Sequence, residues 1–340
     1  MLPAPDGRLL LLAMMCVGFL VPHQAGAAEA QYRISEIRVP HSDLTVAAAI
    51  NQRGQIAGYA TLPDFSYVMY LYTAGEFAYP DTLGARWLWV SDIDEAGHFV
   101  GSYVPSDGRY HAFAWIDGVT IDLGNLGSGE ARGVGIDEHD VAYGQSGHAF
   151  AWRNGQMRDL GGWSGYDETW LDQVNASGVA VGHAVLDTPP TSHAFMVDGR
   201  RRIRLPTLGG ESSTPRAIND QGVVCGWADV AEGKYHAFRY HDGVMTDLGF
   251  LPGGNRSEAW AINNPGDIVG LAHTGDGTRA FIVRAGRDVM EDLNSLADAK
   301  AQGWRLQGAL DINDRGEIVG YGNRGGFLLT PVARTGALAE

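Results

Sequence analysis

The sequence predicts an all-β protein: a seven-bladed β-propeller of four-stranded antiparallel blades, closed by an N-terminal strand at residues 32–39 that joins the last blade. Three observations predict it. One unit recurs seven times after Tyr32, each unit carries two hairpin signatures, and the chain ends are offset from the repeat by one strand.

The first half of the unit is an apolar residue, then Asn or Asp, three residues, an apolar stretch and Gly. It begins at Ile50-Asn51, Ile93-Asp94, Ile136-Asp137, Val174-Asn175, Ile218-Asn219, Ile262-Asn263 and Ile312-Asn313, and it ends at Gly58, Gly101, Gly144, Gly182, Gly226, Gly270 and Gly320. Successive starts lie 43, 43, 38, 44, 44 and 50 residues apart. In Asn219-Asp220-Gln221-Gly222 the Asn side chain can bond its own backbone in an Asx turn, and Gly222 supplies the positive-φ position. Alternation before the turn sets Pro215, Ala217 and Asn219 on one face and Arg216 and Ile218 on the other. The third copy departs from this pattern, with Asp140 in place of the turn Gly and a short second-to-third loop.

The second half is His-Ala-Phe, an aromatic two residues on, a Gly turn and Asp-Leu-Gly. Full copies start at His111, His148 and His236 and end at Asp122-Leu123-Gly124, Asp159-Leu160-Gly161 and Asp247-Leu248-Gly249. His193-Ala194-Phe195 keeps the head and ends in Arg204-Leu205-Pro206. The other copies are Arg279-Ala280-Phe281, Val68-Met69-Tyr70 and Gly326-Phe327-Leu328.

Two hairpins per unit make four strands, and units of this length match propeller blades. The last unit stops after its third strand, near Pro331, while a spare strand precedes the first. Pairing the two termini completes the seventh blade and leaves no open edge.

These repeats resemble those of the HAF-type extracellular repeat proteins, a family named for the triplet at His111, His148, His193 and His236. The resemblance covers nearly the whole chain after the leader and implies a secreted bacterial protein. It implies no activity and assigns no catalytic residue.

The N-terminus reads as a signal peptide over residues 1–27: Arg8, an apolar run from Leu9 to Val21, and Ala25-Gly26-Ala27 as the cleavage site. The run is too short to span a bilayer. A secreted or periplasmic location follows, with one propeller domain over residues 28–333 and a flexible tail over 334–340. Past the leader Cys225 is the one thiol, so no disulfide framework exists, and its strand context reads as a buried small hydrophobe. A net charge of −15 argues against nucleic acid and against an anionic membrane surface. Carbohydrate or an extracellular protein remains compatible as a partner, and a monomer is expected.

Residues that recur around a ring serve the ring. Equivalent histidines in adjacent blades are on the order of 14 Å apart given the strand spacing, too far to share a zinc ion. His111, His148, His193 and His236 therefore read as buried structural residues bonded to a turn or to the repeated Asp122, Asp159 and Asp247. Asp92-Ile93-Asp94-Glu95 and Asp276-Gly277 would be the loops for Ca²⁺, yet neither has EF-hand spacing. They read as solvated turns, and no cofactor or metal is expected.

Function should lie in irregular residues on the rim where the strand-four-to-one loops converge on the axis. Those residues include Arg86, Trp89, Arg132, Trp163, Asp167, Glu168, Trp170, Arg256, Glu258, Trp260 and Trp304. Aromatic faces mixed with carboxylates and Arg suit a sugar pocket; the same Trp residues could instead wedge between blades. The reading is a non-catalytic binding or scaffold protein for carbohydrate or a protein partner. An extracellular lyase or hydrolase acting in the axial pocket is the second reading, and a purely structural surface protein the third. No phosphate loop, dinucleotide fingerprint or nucleophile elbow is present.

Overall fold

A computed structural model describes residues 31–332 apart from Asp167, Arg200 and Glu232; the leader and the tail lie outside the described residues. Seven four-stranded antiparallel sheets follow one another along the chain. Blades 1 to 6 occupy residues 44–78, 87–122, 132–161, 168–204, 209–247 and 254–292. Blade 7 takes three strands from residues 306–331 and its fourth from Tyr32–Ile37. That strand pairs antiparallel with Gly325–Pro331, from Tyr32↔Pro331 to Ile37↔Gly326. It stops two residues short of the expected span because the Val39 amide turns aside to donate to Thr45 Oγ1. The 50-residue spacing before the last repeat holds a short helix, Leu293–Leu296, capped by the Asp292 side chain.

The Gly that ends the first half of the unit and the Phe of the second half recur together because they touch. Gly101 pairs with Phe113 across the second and third strands. A Cβ on Gly101 would sit 2.1 Å from the Trp89 carbonyl oxygen and 2.9 Å from the Phe113 ring. The relation repeats in Gly58 with Tyr70, Gly144 with Phe150, Gly182 with Phe195, Gly226 with Phe238, and Gly320 with Phe327. A missing side chain on the second strand makes the socket for an aromatic ring on the third, and that ring fills the blade interior.

Buried side chains form an apolar cluster at six of the seven blade seams. Among the described residues the seam of blades 3 and 4 has none. In its place is a cleft of about 340 Å³ lined by Tyr143, Leu160, Trp163, Leu171 and Phe195.

On the lower rim, formed by the first-to-second strand turns, the repeated Asn works between blades. Its Oδ1 caps its own turn while its Nδ2 donates to the main-chain carbonyl of the next turn: Asn175 to Asn219, Asn219 to Asn263 and Asn263 to Asn313, at 3.0–3.1 Å. Asn313 to Asn51 at 3.2 Å and Asn51 to Asp94 at 2.9 Å continue the series across the closure seam. Asp94 and Asp137 have no amide to donate, so the series breaks in blades 2 and 3.

At the upper rim the repeated histidines meet the repeated aspartates as expected. His111 is 3.2 Å from Asp122, His148 3.2 Å from Asp159 and His236 2.9 Å from Asp247. Each Asp also accepts from the amide of the Gly two residues on. His236 is buried as expected, and His111 and His193 are half-buried. His148 needs correction: its pair sits where the blade meets solvent, and its side chain is 55% exposed. In blade 4, Arg204 replaces the Asp, and His193 Nδ1 lies 3.0 Å from the Tyr166 hydroxyl.

Candidate functional site: the axial cavity

The first strand of every blade lines the central axis, and each carries a bulge at the same place. The extra residue is Ala48, Ser91, Val134, Asp172, Arg216, Trp260 or Leu310 in blades 1 to 7. A bulge sets two residues against one and re-aims a side chain. All seven line one axial cavity of about 660 Å³ together with Trp89, Tyr59 and Tyr321. Simple alternation placed Arg216 beside Ile218 on one face; the bulge breaks that phase.

The residue after each bulge ties blades together wherever it is polar. The Ile50 amide donates to Asp311 Oδ2 at 2.8 Å, the Ile136 amide to Asp92 Oδ2 at 3.0 Å, and the Ile218 amide to Gln173 Oε1 at 2.7 Å. The remaining oxygens of Asp92 and Asp311 accept from Ile93 and Ile312. Burial pushes Asp92 up to about 7 and Asp311 up to about 6. Asp94 is buried at the head of its turn rather than solvated, and Asp92 lies on the preceding strand, half-buried in the cavity wall. Asp276 does lie in an exposed turn, where Arg279 at 2.8 Å and Thr274 at 2.6 Å hold its carboxylate below the usual range.

Around one side of the upper mouth, rings and guanidinium groups form a continuous arc. Trp89 packs against Tyr110 at 5.6 Å, and the Arg132 guanidinium lies 3.8 Å from the Tyr110 ring and 4.6 Å from the Trp170 ring. Trp170 stacks on His183 at 5.9 Å and 4°, and its indole N–H donates to Glu168 at 2.9 Å. His183 Nδ1 is 2.6 Å from Asp172 Oδ2, Arg216 is 3.9 Å from Asp172, and Arg216 lies over Trp260 at 4.9 Å. Arg216 Nε and Trp260 Nε1 are buried in this wall without a hydrogen-bond partner.

The rim residues named from sequence divide accordingly. Trp89 lines the cavity, and Arg132, Glu168 and Trp170 belong to the arc. Glu258 is 3.4 Å from His273, and Arg256 lies over Tyr235 at 5.4 Å, in a second cluster between blades 5 and 6. Arg86 is exposed at the entry to blade 2, and Asp167 lies outside the described residues. Two of the aromatic residues are elsewhere. Trp163 packs on Phe195 at 4.8 Å in the blade 3–4 cleft, and Trp304 is buried against Phe327 at 6.4 Å in the blade 6–7 cluster. Tyr110, Asp172, His183 and Arg216 were missed as site residues, while Trp260, named at the entry to the sixth blade, does line the cavity. One signal was available: the residue after the repeat Gly varies between blades, and at Tyr59, His183 and Tyr321 it is a large ring facing the axis or the arc.

No family model matches the chain, and no curated protein matches it in sequence. Solved structures match its fold. One, YCF48 bound to D1 peptide, is 11% identical at a TM-score of 0.57, covering 90% of this chain and 97% of that one. A chain of the mitotic checkpoint complex is 11% identical at 0.51, covering 96% and 99%. At that identity the likeness is one of architecture, and the chain is a seven-bladed β-propeller. No helix among the described residues is long and apolar enough to cross a membrane.

Proposed function

We propose that this protein is an extracytoplasmic, non-catalytic binding protein whose axial cavity and upper arc hold carbohydrate. One observation carries the reading: residues that do not recur between blades converge on a single wall, where Trp89, Trp170 and Trp260 offer flat apolar faces beside Asp172, Arg132 and Arg216. Sugar rings present C–H faces that stack on indoles and hydroxyls that both donate to carboxylates and accept from guanidinium groups. The leader sequence supports export. YCF48 is solved with a peptide, so an extended protein segment is the competing occupant.

A glycan panel read by thermal shift tests this, because a ligand of the native state raises its melting temperature. Neutral and acidic oligosaccharides should include at least one that raises it, and Trp89→Ala and Trp170→Ala should abolish that shift. A panel without effect, or variants that respond like the parent, would contradict the reading.

A glycan-active enzyme is the second reading, favoured by the Asp172–His183 pair, which orients an imidazole within the arc. Against it, both oxygens of Asp92 and of Asp311 are engaged by main-chain amides. Release of reducing ends or unsaturated sugars from a bound glycan, lost in His183→Ala, would establish the enzyme.

A further inference from the structure

Blade 3 departs from the repeat on the lower rim, and the departures have a common focus. The turn there begins with Asp94 and Asp137 in blades 2 and 3 and with Asn in the other five. Its fourth residue is Gly in six blades and Asp140 in blade 3, at φ 60, a region where a Cβ is a burden. The residue after that position is His98 in blade 2.

These side chains meet across the seam. His98 Nδ1 is 2.7 Å from Asp140 Oδ1 and 3.2 Å from Asp94 Oδ2, and one ligand atom from each of the three residues falls within 4.8 Å of the others. The Asp94 side chain is 2% exposed, and its Oδ1 accepts from the His98 amide at 2.8 Å, which turns Oδ2 toward the imidazole. One ring nitrogen carries at most one proton, so hydrogen bonding can serve only one of the two carboxylate oxygens it faces. A cation serves both. The other nitrogen, Nε2, lies 3.3 Å from Asp117 Oδ1. Such an outer carboxylate fixes the tautomer of a metal-bound histidine and leaves the Nδ1 lone pair facing the ion.

We infer that the seam between blades 2 and 3 binds one divalent transition cation through His98 Nδ1, Asp94 Oδ2 and Asp140 Oδ1. One imidazole with two carboxylates suits Zn²⁺ or Mn²⁺; Ca²⁺ takes six to eight oxygens and no nitrogen. The ion would clamp the seam where the amide series is broken, and it would neutralise carboxylates that otherwise repel. Protons compete for His98 and the carboxylates, so affinity falls as pH falls.

The test uses untagged protein stripped with a chelator and titrated separately with ZnCl₂, MnCl₂ and CaCl₂ at pH 7.5, followed by calorimetry and by melting temperature. The expected result is one equivalent of Zn²⁺ or Mn²⁺ with a rise in melting temperature, and no binding of Ca²⁺ at this site. Two variants return the seam to the sequence of sibling blades and should keep the fold: Asp140→Gly, as in the other six turns, and His98→Gln, as at Gln55 of blade 1. Both should weaken the metal by at least about tenfold while circular dichroism and the metal-free melting temperature persist. Absence of zinc and manganese binding, or binding unchanged in both variants, would overturn the inference. So would a melting temperature that responds to His98 through pH alone, which would make the seam a protonated His98 bridge between carboxylates.

Discussion

The side-chain amide of Asn313 donates to the main-chain carbonyl of Asn51 at 3.2 Å, joining residues 262 apart in sequence. This bond does across the closure seam what Asn219 and Asn263 do between consecutive blades. The Asp311 carboxylate bridges the same seam to the Ile50 amide, and Arg315 reaches the Gln52 carbonyl. Closure therefore rests on the lower rim as well as on the pairing of Tyr32–Ile37 with Gly325–Pro331. Asn313→Asp keeps the turn-capping oxygen, removes the donor to Asn51, and turns a carboxylate oxygen toward Glu317 Oε2, which the amide now meets at 2.7 Å. Asn263→Asp should cost about 1–3 kcal/mol, the penalty for a buried carbonyl left without its donor, and Asn313→Asp should cost more because it also sets two carboxylates together. Urea denaturation of both variants measures it.

The Gly–Phe socket predicts a sharp positional contrast. Gly101→Ala drives a Cβ to 2.1 Å from a backbone oxygen that cannot move without breaking the blade, so it should destabilise by at least about 3 kcal/mol or abolish folding. Gly118→Ala, in an open turn at φ 82 with nothing within 4 Å, should cost only about 1 kcal/mol from its backbone conformation. Soluble yield and thermal melts distinguish the two.

Asp311 and Asp92 set a pH dependence whose sign follows from burial. Both carboxyls are raised, so between the unfolded value near 4 and the folded values of about 6 and about 7 the native state holds protons that the unfolded chain has lost. Their contribution to stability is full below about pH 4 and is lost as pH rises through those folded values. The stability difference between the parent and Asp311→Ala should therefore shrink from pH 4 to pH 7. Carboxyl ¹³C titration should place the two midpoints near 6 and 7; midpoints near 4 would refute the assignment.

Among the described residues the seam of blades 3 and 4 has no apolar cluster, and Asp137 and Gly135 supply neither the amide donor nor the polar side chain that links other blades at these two positions. It should be the first place the ring opens. Hydrogen exchange should find the first strand of blade 4, Glu168–Val174, less protected than the first strands of the other blades. Uniform protection around the ring would contradict this.

The parts of the molecule legible in its sequence are those that seven blades must solve alike. The Asn turn, the Gly–Phe socket and the His–Asp pair recur because each blade buries the same faces, and the blade count and the closing strand follow from them. The site was less legible, for a geometric reason. One extra residue per first strand reverses the facing of side chains around it, so Asp172 and Arg216 do not declare themselves by alternation. Trp163 and Trp304 were named from their loops, but loop position alone does not separate a rim aromatic from a wedge, and both fill gaps beside a Phe of the repeat. Asp140, an irregularity in the third turn, takes on meaning only when the fold sets it against His98.

In the proposed function, recurring residues hold the ring while non-recurring residues on the axial wall bind the ligand. Isothermal titration of the glycan giving the largest thermal shift, run on the parent, Trp89→Ala and His236→Ala with melting temperatures alongside, tests it most directly. Trp89→Ala should lose binding with its melting temperature nearly unchanged, while His236→Ala should melt lower and bind like the parent. Equal loss of binding in both variants, or a Trp89→Ala protein that binds like the parent, would contradict it.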